Sequence, residues 1–452
     1  MARERLVVVG GDAAGMSAAA NARRRRPAAD LAIDVYEQGP HASYAACGIP
    51  YYIGGLVPSE QRLIARRVEQ FEAEGIGVHL RHQVEGIDPA QRRVLVKPLD
   101  GGEARWEPYD HLLLATGSMP VRPQVPGIDA RGVFGLNTLE SGIAVHRFLE
   151  EERPRRAVIV GGGYIGLEMA EALIMRGLQV ALVEKEEQVM LTLDADMAAP
   201  IARRLEELGV ELRLGEALTA FETADGRLRA VVTEKGTISC DMAVLGLGVR
   251  PRSELAREAG IPLGVRGAVV VNERMQTEVP GIWAAGDCAQ TFHLVSRRPF
   301  WVALGTVANK QGRVAGINLG GGYATFPGVV GTAITKVCEL EIARTGLQER
   351  EIAALGWESV AVRIEAPTRA HYYPDAGRAT VKLLAERGSG RLLGGQIVGT
   401  DGAGKRIDVV ATALHAGLTV EEFLHLDLAY APPFSPVWDP LLVAARQLAG
   451  SL

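Results

Sequence analysis

The chain has 452 residues, 47% of them apolar and 23% charged, with a formal net charge of −5. That composition excludes a disordered or fibrous protein, and the length exceeds what one core usually organises, so two or three domains are expected. The mild negative charge gives no general basis for nucleic-acid binding, and no uninterrupted apolar run approaches the ~18 residues that suggest a membrane span. At the N-terminus Arg3 and Glu4 lead straight into the strand-like Leu6 to Val9. No room is left for a cleaved signal segment, which points to the cytoplasm.

The first unit in the chain is the strand Leu6 to Val9, the loop Gly10-Gly11-Asp12-Ala13-Ala14-Gly15, a helix from Met16 to Arg26, and a strand from Leu31 to Tyr36 that ends at Glu37. This is a βαβ nucleotide-binding pattern. Glycines allow the tight turn, the helix N-terminus offers N–H donors to a pyrophosphate, and Glu37 can accept from ribose hydroxyls. Asp12 stands where the second glycine of G-x-G-x-x-G belongs, so a carboxylate crowds the phosphate approach unless it points away.

Cys47 follows in Ser43-Tyr44-Ala45-Ala46-Cys47-Gly48-Ile49-Pro50-Tyr51-Tyr52, with no second cysteine near it in the chain. A paired thiol stores two electrons internally, whereas a lone one needs an external partner or an oxidised sulfur. Gly48 and Pro50 mark a helix start just after Cys47, and an adjacent helix N-terminus favours a thiolate. Cys240, Cys288 and Cys338 lack metal-ligand or disulfide spacing and read as buried structural thiols. The segment from Arg81 to Arg93 reads as solvated surface.

The second unit runs from the strand Ala157 to Val160 through Gly161-Gly162-Gly163-Tyr164-Ile165-Gly166, a helix to Met175, and a strand Val180 to Val183 ending at Glu184. Here all three glycine positions match. Glu184 is placed to hold a ribose 2′-hydroxyl and to repel a 2′-phosphate, which favours NADH over NADPH, although Lys185 beside it blurs the preference. Two dinucleotide units imply a flavin and a nicotinamide. The expected fold class is α/β, with two Rossmann-like domains and a further C-terminal segment.

Two further segments, Leu112-Leu113-Leu114-Ala115-Thr116-Gly117 and Ile282-Trp283-Ala284-Ala285-Gly286-Asp287, complete a recognisable set. The chain resembles the FAD-dependent pyridine nucleotide-disulfide oxidoreductases over nearly its whole length. Within them, the stretch around Cys47 resembles coenzyme A disulfide reductases and the single-cysteine NADH oxidases and peroxidases. Asparagine commonly precedes the cysteine in those enzymes, where this chain has Ala46. The resemblance implies a split FAD domain at 1–118 and 245–325, an NAD(P)H domain at 119–244, and an α+β dimerisation domain at 326–452. It also implies that Asp287 binds the FAD ribityl chain and that Ser43, Thr116 and Gly117 belong to the cofactor site.

By the same resemblance, Glu168 lies near the nicotinamide and Tyr164 gates that pocket, though both could be ordinary helix residues. Tyr430, in Leu428-Ala429-Tyr430-Ala431-Pro432-Pro433, matches the tyrosine that reaches the partner subunit's active site in a homodimer. Tyr372 matches a second active-site tyrosine, with Tyr373 one register away. CoA contacts are implied for Arg26, Arg66, Asn309 and Lys310; the Arg23 to Arg26 cluster equally suits a helix dipole. His425 reads as an ordinary helix-end residue. The implied chemistry is hydride transfer from NADH or NADPH to FAD, cleavage of a Cys47–S–S–CoA mixed disulfide, and attack of the thiolate on a new CoA disulfide, with no metal. Peroxide reduction usually employs a histidine in the first glycine loop, where this chain has Asp12, Ala13 and Ala14. Polysulfide reduction, oxygen reduction or electron transfer to a protein partner remain alternatives, and a persulfide role is weakened because no rhodanese segment follows Leu452.

Overall fold

Two parallel sheets and one antiparallel sheet carry the architecture of the computed structural model, which describes residues 3–452. The first has the order Ile282–Ala284, His111–Leu114, Glu4–Val9, Leu31–Glu37, Ile76–Leu80, all neighbours parallel. Leu6, Val7 and Val8 are completely buried. A sheet covered on both faces requires such continuous apolar runs, which is why the strand does not alternate.

The helix Ala13–Arg23 covers one face of this sheet. It starts and stops three residues earlier than the pattern suggests, because Asp12 is its N-cap residue and Pro27 disfavours helical continuation just before it. The helix Gly305–Leu319 packs directly across it. A Cβ on Gly312 would lie 2.3 Å from Ala14 O, and one on Gly316 would lie 2.3 Å from Ala18 O, so the two backbones touch where no side chain fits.

The second sheet has the order Glu211–Arg213, Gln179–Val183, Arg156–Val160, Met242–Leu245, Val133–Gly135, again parallel throughout. The chain enters and leaves it through Ser118–Pro120 and Val249–Pro251, which pair antiparallel with each other. The third sheet is antiparallel, in the order Ala333–Val337, Leu340–Gly346, Leu392–Gly399, Arg378–Glu386, Ser359–Pro367. The helices Ile407–Ala416 and Pro440–Ala449 share its apolar core. The fold is therefore the mixed α/β and α+β arrangement expected from the sequence.

Lys382, on the third sheet, is only 4% exposed and joins that sheet to the second unit. Its ammonium lies 3.1 Å from Asp194, 2.8 Å from Asp196 and 3.0 Å from Glu349. Gln396 Nε2 donates to the same Asp194 at 2.7 Å. No helix among the described residues is long and apolar enough to cross a membrane.

Candidate active site

Both glycine loops sit at the C-terminal ends of central strands, where the sheet opens toward ligand. Gly10 has φ +111°, and a Cβ there would fall 2.1 Å from Ala115 O, so this turn admits only glycine. Glu37 is tied to its own loop, accepting from Gly11 N–H and Gly39 N–H at 2.7 Å each. Glu184 repeats the arrangement in the second unit, accepting from Gly162 N–H at 2.8 Å and Glu186 N–H at 3.1 Å. Each carboxylate retains lone pairs for a ribose hydroxyl.

Asp12 makes no capping bond to the helix it begins. Its Oδ1 instead accepts the Tyr44 N–H at 3.0 Å. Burial, with Glu37 and Asp287 adding repulsion, pushes this carboxyl up to about 6. Asp287 accepts from Ser118 Oγ at 3.0 Å and is also raised by burial. Thr116 Oγ1 donates to Arg252 O at 2.5 Å, and Gly117 O accepts from Arg252 N–H at 3.0 Å.

Cys47 lies in the tight turn Ala46–Gly48, just before the short helix Ile49–Ile53 with Pro50 in its first turn. The residue is exposed, but its thiol is pushed up by its dense surroundings and by Glu168, Asp287 and Asp12. This corrects the expectation of a helix-stabilised thiolate: five residues carry little dipole, and three carboxylates oppose it. Those carboxylates come from both nucleotide units. Ile49, Tyr52 and Ile53 likewise share a core with Ile159 and Leu167 of the second unit, so the segment after Cys47 bridges the two.

Near the second loop, Glu168 accepts from Thr335 Oγ1 at 2.9 Å and is raised by burial. Tyr164 OH accepts from Thr192 Oγ1 at 3.3 Å. Cys240 and Cys288 are buried as expected, whereas Cys338 is half-buried at a hairpin turn with φ 52°, which corrects its reading as a core thiol.

Tyr372 and Tyr430 are 65% and 46% exposed, and the neighbouring Tyr372 hydroxyl, as acceptor, raises the Tyr430 phenol. Tyr373 instead lies under the Arg369 guanidinium at 5.8 Å. The pairing with Tyr430 thus belongs to Tyr372. Arg406 braces the segments that carry both tyrosines, donating to Thr368 O at 2.7 Å and Phe434 O at 3.0 Å. Around them Phe434, Val437 and Trp438 are also exposed. His425 is exposed and pairs with Glu421 at 3.2 Å.

Residues 4–312 match the family of pyridine nucleotide-disulphide oxidoreductases, and residues 332–441 match that family's dimerisation domain. The chain belongs to this family. It is an NAD(P)H-dependent flavoprotein disulfide oxidoreductase. It is 40% identical to the NAD(P)H sulfur oxidoreductase (CoA-dependent) of Pyrococcus abyssi, covering 99% of this chain and 98% of that one. It is 30% identical to the coenzyme A disulfide reductase of Staphylococcus haemolyticus, covering 95% and 96%. Among solved structures, the reduced CoADR-RHD of Bacillus anthracis superposes with a TM-score of 0.96 at 36% identity, covering 100% of this chain and 81% of that one.

Membership of the pyridine nucleotide-disulphide oxidoreductases implies FAD and a nicotinamide dinucleotide, and the residues fit a flavin dinucleotide. A cavity of about 570 Å³ runs past Gly10, Glu37, Thr116, Gly117 and Asp287. Its lining includes Arg252, whose Nε is buried without a hydrogen-bond partner among the described residues, as expected beside an anionic ligand. His82, Gln83, Val84 and Glu85 line it too, which corrects the reading of that stretch as plain surface. No local motif marks them; the strand His82–Asp88 reaches the cavity by packing beside Leu31–Glu37 and the helix Glu254–Glu258.

The residues implied for CoA are dispersed. Arg26 pairs with Glu4 at 2.5 Å, at the strand end opposite Gly10 and about 20 Å from it by strand rise. Arg66 pairs with Glu74 and stacks on Phe71 at 4.0 Å. Asn309 is exposed, its backbone oxygen accepting from Ser17 Oγ at 3.2 Å. Lys310 lines a separate cavity of about 340 Å³ with Arg313.

Proposed function

We propose that the enzyme reduces coenzyme A disulfide with NADH through Cys47 as its single redox thiol. The observation that carries this reading is the position of Cys47, faced by Glu168 from the nicotinamide side and Asp287 from the flavin side, with no second thiol paired to it. The Cys47 thiolate attacks one sulfur of the CoA disulfide. That S–S bond breaks, the Cys47–S–S–CoA bond forms, and one CoA thiolate leaves. Tyr430, paired with Tyr372, donates the proton it needs, from the partner subunit of a homodimer. FAD, when bound, supplies the two-electron relay from NADH that returns the mixed disulfide to two thiols. The balance is one CoA disulfide, one NADH and one proton giving two CoA thiols and NAD⁺.

In this reading residues 1–118 and 245–325 form the FAD domain, 119–244 the NADH domain and 326–452 the dimerisation domain. A second reading, reduction of polysulfide or persulfide by the same thiol, is favoured by one observation: the Pyrococcus abyssi relative carries a sulfur oxidoreductase name. Anaerobic NADH oxidation with CoA disulfide, polysulfide or peroxide as sole acceptor separates the readings. CoA disulfide should give the highest kcat/KM. Turnover with polysulfide alone would reverse the order.

Tyr430→Phe is expected to lower kcat with CoA disulfide by about 10²-fold while leaving flavin reduction by NADH unchanged. An unaltered kcat would remove the phenol from the mechanism. The ribose-side carboxylate Glu184 is expected to make NADH the better donor by about tenfold in kcat/KM, because a 2′-phosphate would meet a fixed negative charge. Lys185 lies 3.4 Å from Glu186. Glu184→Gln should narrow the ratio; equal use of both donors by the unmodified enzyme would refute the preference.

A further inference from the structure

Asp12 is the N-cap residue of Ala13–Arg23, yet its side chain forms no cap bond. Its Oδ1 accepts the Tyr44 N–H at 3.0 Å, and the preceding Gly11 O accepts the Ser43 N–H at 2.9 Å. Two adjacent hydrogen bonds therefore fasten residues 43–44 to the first glycine loop. From the opposite side, Ser43 O accepts from Ala65 N–H at 2.8 Å, and Ala45 N–H donates to Leu63 O at 2.7 Å. Ser43 is held at φ 52°, a left-handed conformation that a serine adopts only when its neighbours impose it. Three residues beyond Tyr44 the chain reaches Cys47.

The charges that act most strongly on this clasp are negative, with Arg252 the cation lining the same cavity. Asp12 is faced by Glu37 at the end of Leu31–Glu37, by Asp287 after Ile282–Ala284, and by the phenol of Tyr44, which has Glu140 beside it as well. Cys47 is faced by Glu168 on the helix Tyr164–Met175, by Asp287 and by Asp12 itself. A negative Asp12 therefore opposes the Cys47 thiolate, while its oxygen holds the thiol's segment in place.

We propose that Asp12 is a positioning residue for the redox thiol: its carboxyl holds the Tyr44 N–H, fixing Cys47 between the nucleotide units, and its charge joins those of Glu168 and Asp287 in facing the thiol. The proposal rests on the reading of Cys47 as the redox thiol. The sign follows from the electrostatics. As pH rises through about 6, Asp12 ionises and holds back thiolate formation at Cys47. Asparagine keeps an oxygen for Tyr44 N–H and removes the charge; alanine removes both.

The test uses the reduced, FAD-loaded enzyme with Asp12→Asn and Asp12→Ala. Alkylation of Cys47 by iodoacetamide is followed against pH by peptide mass spectrometry, alongside amide exchange across residues 43–45. Asp12→Asn should alkylate about three- to tenfold faster near neutral pH, with Tyr44 still protected. Asp12→Ala should lose the protection at Tyr44. An alkylation profile unchanged in Asp12→Asn, or Tyr44 protection that survives in Asp12→Ala, would overturn the proposal. Alkylation needs no electron acceptor, so failure here is distinct from failure of the CoA reading, which rests on turnover.

Discussion

Cys47→Ser is expected to abolish NADH oxidation driven by CoA disulfide, a loss of at least ~10³-fold, because serine cannot form the mixed disulfide on which the cycle depends. Bleaching of the bound flavin by NADH should persist, since the second glycine loop and Glu184 are built from separate elements and do not need the thiol. The two measurements belong together. Loss of turnover with intact bleaching places the defect after nicotinamide oxidation; full turnover by the serine variant would mean that electrons leave the flavin directly for an external acceptor. The other three cysteines provide the internal control. Cys240 and Cys288 are buried, the Cys240 thiol being pushed up to about 12, and neither should substitute for Cys47.

The second large effect concerns stability. Lys382→Met leaves Asp194 buried opposite Asp196 and Glu349 with no ammonium between them, and is expected to cost about 3–5 kcal/mol. Thermal unfolding of the FAD-loaded enzyme measures this as a lowered midpoint. Adding Asp194→Asn should recover part of the loss, because it removes the stranded buried charge. A midpoint unchanged in Lys382→Met would show that the cluster is held by its surroundings alone. The three carboxylates raise the Lys382 ammonium above its ordinary value of 10.5 despite burial. Its contribution is therefore complete below that value and is lost only as pH climbs through the higher folded one.

Much of the site was legible because parallel strands and glycine loops carry their constraints in short, contiguous runs. Gly10, Gly161, Glu37 and Glu184 fall where the spacing predicts, and both loops meet their carboxylates through backbone N–H groups. Three features were not legible, and each depends on distant pairing. His82 to Glu85 reach the larger cavity only through packing against distant elements, Arg252 through the crossing between the first two units, and Arg406 through two loops that close around it. The charge on Cys47 was misjudged for the same reason. Gly48 and Pro50 announce a helix start locally, but the carboxylates that outweigh it arrive from residues 12, 168 and 287.

The touching backbones of Ala13–Arg23 and Gly305–Leu319 also bear on how the protein is made. Ala14 and Ala18 emerge from the ribosome almost three hundred residues before their contacts Gly312 and Gly316. The first sheet also waits for Ile282–Ala284 to take its place beside His111–Leu114. During synthesis the N-terminal strands must therefore stand with one face uncovered, while the second parallel sheet, complete at Leu245, already has all its strands. The inserted unit is the natural first structure to form, and the opening βαβ unit closes late, when the helix that covers it finally arrives.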